Sequence, residues 1–258
     1  MAQLLFLSLR DGEVGPAVAR AEYHDALQST GLAEVDLEHL VIDSATADLG
    51  PLDGISGVIV GGSSLNITNG REPALAPSAA PNAGTRGGYS DYQEHVHDVL
   101  AELVESGLPV FFVCFGLSWL VDYAGGEVGT SHAEDSGPTT VHLTDAGRDD
   151  PLLALAPASF TALTGHTENP ETVPDRLELL AHGEGAAIQM VRYGEHVWAS
   201  QFHAEMDADA MRTRMDFYHD YGYFPVEDYA RIVADLPNHD VAAANGLLRS
   251  FAAYCRAR

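Results

Sequence analysis

The alternation of short apolar runs with amphipathic stretches in the first half of the chain is the feature that most limits its fold. Runs of strand length alternate with stretches of helical spacing, which is typical of βαβ units built around a parallel sheet. Strands are predicted at Gln3–Leu9, Val35–Ile42, Gly57–Val60 and Val110–Cys114, and helices at Pro16–Thr30, Tyr89–Ser106 and Gly116–Tyr123. The almost wholly apolar run Val110–Cys114 predicts a strand buried on both faces.

The second half of the chain has a different pattern. Five strands are predicted in hairpin-like succession, at Thr139–Thr144, Phe160–Leu163, Leu177–Ala181, Ala187–Tyr193 and His196–Phe202. Three helical segments follow, near 207–221, 226–235 and 239–256. We therefore predict an α/β fold with an open, mostly parallel sheet, helices on both faces, an added antiparallel region and a C-terminal helical extension. A first domain is expected over 1–206, with the extension over 207–258 packed on it. The stretch 66–88 is rich in Pro, Ala and Gly and predicts a long loop, either a functional lid or a disordered segment.

Charge and composition exclude several classes of function. The formal net charge is −25, and all 13 basic residues are Arg. Because such a field repels phosphate groups, no nucleic-acid partner is expected. The chain has no run of about 18 apolar residues, so no membrane partner is expected either. Two cysteines provide no disulfide framework, which favours the reducing cytoplasm.

One cysteine lies where a reactive nucleophile is often found. Cys114 ends a buried strand, and a predicted helix follows at once. This is the geometry of a nucleophile elbow, in which a sharp turn exposes the side chain at the carboxyl edge of the sheet. The partial positive charge of the helix N-terminus suits a thiolate there. A buried structural cysteine is the alternative on this segment alone.

A histidine and a carboxylate end another predicted strand. His203 follows an alternating apolar run, and Glu205 lies two residues further on. Residues i and i+2 of an extended chain point to the same side, so Glu205 is able to hold the imidazole tautomer needed for proton transfer. With 12 histidines in the chain, this spacing carries more weight than the histidine itself.

Three segments together resemble the class I glutamine amidotransferases, in particular stand-alone members similar to the amidotransferase domain of GMP synthase. They are Gly57 to Gly62, Val113 to Gly116, and Gln201 to Glu205, in that order and at these separations. The resemblance covers about residues 1–206 and implies a flavodoxin-like fold, glutamine as substrate, no cofactor and a separate acceptor or synthetase subunit.

The resemblance also implies roles for matching positions. Cys114 would attack the side-chain amide of glutamine and form a γ-glutamyl thioester, with His203 as general base and Glu205 as its orienting residue. Backbone N–H groups of Gly62 and Phe115 would form the oxyanion hole. Further substrate contacts are implied for the following residues: Gly61, Ser118, Gly165 and His166.

Departures from the family pattern bear on the substrate rather than on the triad. The family usually has Gly two positions before the cysteine, where this chain has Phe112. A substrate-contacting Gln usually stands where this chain has Ser118, preceded by Leu117, and Ala204 replaces a common Pro. Two alternatives therefore remain open: a hydrolase of other γ-glutamyl compounds and a catalytically silent regulatory protein. No metal site is expected, because His95 and His97 point to different faces of a helix.

Overall fold

The computed structural model describes residues 3–68, 90–219 and 221–258. Strands β1 to β4 are Gln3–Leu9, Leu37–Ile42, Ile55–Val60 and Val110–Val113, and helices α1 to α3 are Gly15–Thr30, Asp91–Glu105 and Phe115–Tyr123. Strands β5 to β11 are Val128–Gly129, Glu134–Leu143, Ser159–His166, Asn169–Pro170, Leu177–Gly183, Met190–Tyr193 and Val197–Ser200. Helices α4 to α7 are Asp145–Asp149, Ala208–Phe217, Tyr229–Asp235 and Ala242–Arg256.

One nine-stranded sheet in the order β2-β1-β3-β4-β11-β10-β9-β6-β7 organises this part of the chain. The pairs from β2 to β11 are parallel, and the remaining pairs are antiparallel. The five parallel strands of this sheet, β2-β1-β3-β4-β11, have the order of the flavodoxin-like folds. In those folds ligands bind beyond the carboxyl ends of the strands. The predicted fold class is confirmed, including the added antiparallel region and the helices after it.

Alternating side chains of β1 show why helices cover both faces of the sheet. Leu4 and Phe6 face the cluster that contains Leu247 and Phe251 of α7. Leu5, Leu7 and Leu9 face the opposite cluster, to which α2 and α3 contribute. Because successive residues of a strand point to opposite faces, a strand without polar alternation requires cover on each side.

The helices after β11 pack in two places. Helix α7 lies on the sheet, where Phe251 contacts Phe111 of β4 with ring centroids 5.8 Å apart. Helices α5 and α6 form a separate apolar cluster with β7, in which Met211, Met215 and Ile232 meet Leu163. The boundary at residue 206 between a domain and an extension stays a prediction.

Several bounds of the predicted strands and one predicted pairing need correction. The predicted strand Val35–Ile42 begins at Leu37, because Glu34–Asp36 forms a 3-10 turn. The hairpin-like succession is wrong at one junction, since β9 pairs with β6 and not with β7. Strand β6 has ten residues, enough to pair along one edge with β7 and at its end with β9 on the other edge. The predicted loop at 66–88 lies outside the described residues from position 69 onward.

Candidate active site

A pocket lies at the carboxyl edge of the parallel strands. The residues that follow four adjacent strands line it: Arg10 after β1, Gly62 after β3, Cys114 after β4, and Gln201 and His203 after β11. Three parts of the chain form the opposite wall: the C-terminal end of β7, helix α5 and the segment after that helix. Carboxyl ends of parallel strands meet at one edge of a sheet, which explains why residues so distant in sequence share one pocket.

Cys114 occupies the sharp turn between β4 and α3. Its φ of 55° and ψ of −99° are unusual for a residue with a side chain. Within 3–68, 90–219 and 221–258 it is the one residue other than glycine with positive φ. Such a conformation costs about 1–3 kcal/mol and persists only where the surroundings impose it. Here the Cys114 N–H donates to Ser200 O of β11 at 2.7 Å, and its carbonyl accepts from Leu117 N at 2.9 Å.

Phe112 and Gly116 fit each other across this turn. A Cβ added to Gly116 would lie 2.6 Å from Cβ of Phe112 and 2.9 Å from its Cδ1. Phe112 is fully buried, and its ring lies 5.6 Å from that of Trp119. The Phe112 side chain therefore packs in the apolar core between β4 and α3 and does not line the pocket. This packing depends on the missing side chain of Gly116.

His203 and Glu205 form a buried ion pair next to the cysteine. Nδ1 of His203 lies 2.7 Å from Oε1 of Glu205, and both side chains are buried. Burial opposes a charge on His203, but Glu205 and the sulfur of Cys114 outweigh that effect and raise the pKa of His203 to about 10. Because Glu205 engages Nδ1, the other ring nitrogen, Nε2, is the one left for proton transfer.

Gly62 marks the point at which these groups converge. A Cβ built on Gly62 would lie 3.3 Å from Cε1 of His203, 3.6 Å from Cβ of Cys114 and 4.0 Å from Nη2 of Arg10. The glycine therefore leaves open the small space that the three residues surround. An atom of a bound molecule in that space would touch a thiol, an imidazole and a guanidinium.

The predicted site residues divide into those that line the pocket and those behind it. The pocket is lined by Gly62, Cys114, Phe115, Ser118, Gly165, His166 and His203. Gly61 and Glu205 lie behind this wall: the Gly61 N–H donates to Leu7 O at 2.9 Å, and Glu205 holds His203. All of the predicted positions thus meet at one sheet edge, while their roles stay predictions.

His166 differs from the expectation in how it is held. Its Nε2 lies 2.9 Å from Oε2 of Glu134, and its Nδ1 lies 2.8 Å from the carbonyl oxygen of Glu168. Since both ring nitrogens are engaged within the protein, the side chain shapes the wall, and a direct substrate contact would fall to the backbone. Glu168 accepts in turn from the N–H groups of Ile67 at 2.7 Å and Thr68 at 2.8 Å.

The residue pattern gave no role to a buried charged network beside the pocket. Arg10 donates from Nε to Glu22 at 3.0 Å, bonds the same carboxylate through Nη2, and donates from Nη1 to the Tyr218 hydroxyl at 2.8 Å. Arg214 of α5 donates to Glu22 at 2.9 Å. Burial disfavours the Glu22 carboxylate, but the two guanidinium groups hold its pKa below the ordinary value.

Two signals in the sequence point to this network. Arg10 directly follows the apolar strand β1, where site residues of parallel sheets gather, and Glu22 lies on the apolar face of α1 with Val18 and Ala26. A charged residue on an apolar helix face is seldom buried without a partner. Gln201 was also missed as a contact of the cysteine: its Nε2 lies 4.0 Å from Sγ of Cys114.

The paired histidines of α2 have partners of their own. Nε2 of His95 lies 2.7 Å from Ala47 O, and Nδ1 of His97 accepts from Trp119 Nε1 at 2.9 Å. No group of three His, Cys, Asp or Glu side chains suited to a metal ion occurs in the part of the chain that the structure describes. In the same part, none of the helices is both long enough and apolar enough to cross a bilayer.

A family model and several proteins of known sequence resemble the chain. The model of the class I glutamine amidotransferases matches residues 85–219. A glutamine-hydrolysing GMP synthase of Lactobacillus delbrueckii subsp. bulgaricus is 26% identical over 189 residues, which is 70% of this chain and 36% of that protein. One subunit of the glutamine-hydrolysing GMP synthase of Methanocaldococcus jannaschii is 28% identical over 100 residues, 38% of this chain and 52% of the relative. The chain thus spans at most about half the length of these relatives.

Solved structures share the fold over nearly the whole chain. A glutamine amidotransferase from Thermotoga maritima superposes with a TM-score of 0.71 at 18% identity, covering 99% of both chains. A protein from Thermoplasma acidophilum, described as one subunit of a GMP synthase, superposes with a TM-score of 0.59 at 16% identity, covering 100% of this chain and 96% of the other. At these identities the likeness concerns the fold alone.

Proposed function

The chain belongs to the class I glutamine amidotransferase family, and from that premise we propose that it hydrolyses the side-chain amide of glutamine through a thioester on Cys114. The observation that carries this proposal is the convergence of Cys114 and His203 on the open space at Gly62. Pockets that combine a nucleophile, a base and a group that orients the base are suited to acyl transfer. The proposal also includes the cytoplasm as its compartment, because two cysteines provide no disulfide framework and suit a reducing compartment.

In the proposed reaction His203, whose pKa is raised to about 10, holds the proton lost by Cys114 while the sulfur attacks the amide carbon. The tetrahedral intermediate carries its charge on the former carbonyl oxygen, which the N–H groups of Gly62 and Phe115 would stabilise. The C–N bond then breaks, His203 gives its proton to the leaving nitrogen, and ammonia departs. Water attacks the resulting γ-glutamyl thioester with His203 as base, which releases glutamate and restores the thiol.

The fate of the ammonia is part of the proposal. The relative from Methanocaldococcus jannaschii is named as one part of a larger enzyme, which supports a separate acceptor subunit for this chain as well. In that case glutamine hydrolysis rises when the acceptor protein is present.

A second candidate is hydrolysis of another γ-glutamyl compound. It is supported by Ser118, a shorter residue than the Gln usual in the family, and by the wall that α5 adds to the pocket with Met211 and Met215. In this candidate the two methionine side chains would contact a leaving group larger than ammonia. Turnover of γ-glutamyl amides without any partner protein would favour this candidate over ammonia supply.

The proposal is tested by substituting each cysteine. With Cys114→Ala we expect no thioester by intact mass and no glutamate release from glutamine or a panel of γ-glutamyl amides. Cys255→Ala is the matched control, because Cys255 is 1% exposed in α7 and burial raises the pKa of its thiol to about 12. Unchanged turnover in Cys114→Ala would contradict the mechanism. Absence of turnover in the unsubstituted protein, with slow alkylation of Cys114, would favour the silent regulatory protein.

A further inference from the structure

A group of hydrogen-bond donors lies beside the Cys114–His203 pair and outside the motifs that identify the family. It consists of Arg10, which follows β1, and of Tyr218 and Tyr223, which follow helix α5. All three line the pocket, and none has a part in the proposed thioester chemistry.

Arg10 retains donors that its partners do not use. A guanidinium has five N–H donors, and the bonds to Glu22 and Tyr218 use three of them. Nη2 of Arg10 lies 4.0 Å from the point above Gly62 toward which Cys114 and His203 also face. The remaining N–H group of Nη2 is therefore near a molecule bound at the cysteine.

The carboxylate that pairs with Arg10 is shared with a second guanidinium. Glu22 is completely buried and is shared between Arg10 and Arg214, so two guanidinium groups face one carboxylate. Asp25, the next carboxylate, pairs with Arg214 at 3.7 Å. A buried cation whose counter-charge is shared attracts an anion more strongly than a fully paired one, since the site excludes water.

Tyr218 offers a second donor beside Arg10 in the pocket lining. Its hydroxyl oxygen accepts from Arg10 Nη1 at 2.8 Å, which leaves its own hydrogen for another acceptor. The ring is held in place by Tyr221 at 5.1 Å and by Tyr223 at 5.8 Å between centroids. Tyr218 is 7% exposed, so its hydroxyl faces the protein and the pocket rather than bulk water.

We infer that Arg10 and Tyr218 form a carboxylate-binding subsite of this pocket. The inference rests on the proposed function and specifies its substrate: a γ-glutamyl compound held through a carboxylate. A charged guanidinium with an adjacent hydroxyl donor recognises this group well. The carboxylate is either the α-carboxylate of the glutamyl group or one carried by the amine that leaves. The subsite supplies a polar contact where Ser118 is too short to replace the usual Gln.

The test removes one hydroxyl and leaves the buried ion pairs intact. Tyr218→Phe keeps the ring packing, whereas substitution of Arg10 would leave Glu22 buried with one partner fewer. Four compounds separate the two sources of carboxylate: glutamine, 4-aminobutanamide, γ-glutamylglycine and γ-glutamylmethylamide. 4-Aminobutanamide lacks the α-carboxylate of glutamine, and γ-glutamylmethylamide lacks the second carboxylate of γ-glutamylglycine.

For the α-carboxylate, we expect Tyr218→Phe to raise KM for glutamine about 10-fold or more, the usual effect of losing a hydrogen bond to a charged group. The kinetics of 4-aminobutanamide should not change. For a carboxylate on the amine, only γ-glutamylglycine should lose affinity. Tyr221→Phe is the matched control, because Tyr221 contacts the Tyr218 ring but does not line the pocket. Equal effects on all four compounds, or none, would overturn the inference.

Binding to the Cys114→Ala variant separates this inference from the proposed reaction. Calorimetry with the same four compounds measures the subsite without turnover. Weaker binding of only the carboxylate-bearing compounds in the Tyr218→Phe, Cys114→Ala double variant supports the subsite even if the unsubstituted protein hydrolyses nothing. Equal binding by the single and double variants overturns the subsite even if glutamine is hydrolysed.

Discussion

The Glu205 carboxylate has more influence on His203 than any other single side chain. It is 4% exposed, and its Oε1 accepts from the imidazole at 2.7 Å. Burial alone would lower the pKa of His203, yet the pair raises that pKa to about 10. The carboxylate therefore fixes both the orientation and the charge of the imidazole.

Replacing Glu205 by Gln should reverse that effect. Without the negative charge, burial dominates, and we expect the pKa of His203 to fall well below about 10. An NMR titration of the His203 ring carbon measures it directly. The hydrolysis rate should fall on the order of 10²–10⁴-fold, because the base loses its orienting group.

A second Glu–His pair provides the control for this substitution. Oε2 of Glu134 lies 2.9 Å from Nε2 of His166 in the same pocket wall. Glu134→Gln should leave the titration of His203 unchanged. If Glu205→Gln also left it unchanged, Glu205 would not be the residue that sets the charge of His203.

At the scale of elements, the turn between β4 and α3 depends on one pair of residues. The Phe112 side chain fits against the backbone of Gly116 only because Gly116 has no Cβ. The family pattern also has a glycine on the strand side of the cysteine, and this chain has Phe112 there. The close approach of helix and strand in this chain therefore depends on the glycine two residues after the cysteine.

A double-mutant cycle should reveal this dependence. Gly116→Ala alone would force Phe112 to move and should cost about 1–3 kcal/mol of unfolding free energy, as overpacking does. Phe112→Ala alone should cost about 3–5 kcal/mol through the cavity it leaves. In the Phe112→Ala background, Gly116→Ala should cost less than it does alone, because the ring contacts at 2.9 and 3.0 Å are gone and only the Cβ contact at 2.6 Å remains. Urea denaturation measures all four proteins, and additive effects would contradict the proposed fit.

The elements that the sequence predicts well are those whose own residues mark where they begin and end. Strand β1 and helix α1 were predicted within a residue of their bounds, because an apolar run or a glycine after the helix marks each end. Helix α4 was missed because it has five residues, too few to show a helical period. The pairing of β9 with β6 was missed because strand order depends on tertiary contacts and not on the strands' own residues.

The candidate site shows the same limit. Cys114, His203 and Glu205 belong to local motifs, so the sequence placed them together. Arg10 and Tyr218 are 208 positions apart and carry no motif, and only the folded chain reveals that they share a hydrogen bond.

For the molecule as a whole, the charge of −25 is the dominant electrostatic property. Like charges repel one another in the compact state and lower its stability. Salt screens this repulsion, since the Debye length falls from about 10 Å at 0.1 M to about 3 Å at 1 M.

We therefore expect the midpoint of thermal unfolding at pH 7 to rise between about 0.1 M and 1 M NaCl. Each kcal/mol of relieved repulsion should add roughly 2–4 °C for a chain of this size. The control is the same series near pH 4.5, the isoelectric point, where repulsion is small and the rise should largely disappear. A midpoint that falls with salt at pH 7 would show that specific ion pairs outweigh the net charge.

The order of the strands affects when the site can exist during protein synthesis. Strand β4, which carries Cys114 at its end, pairs with β11, whose Ser200 accepts the backbone hydrogen bond of that cysteine. The wall opposite the cysteine comes later still, from Tyr218 and Tyr223. A nascent chain on the ribosome thus carries its nucleophile for about a hundred residues before the partners of that nucleophile have been made. An incomplete product would hold a free thiol without the residues that complete the pocket around it.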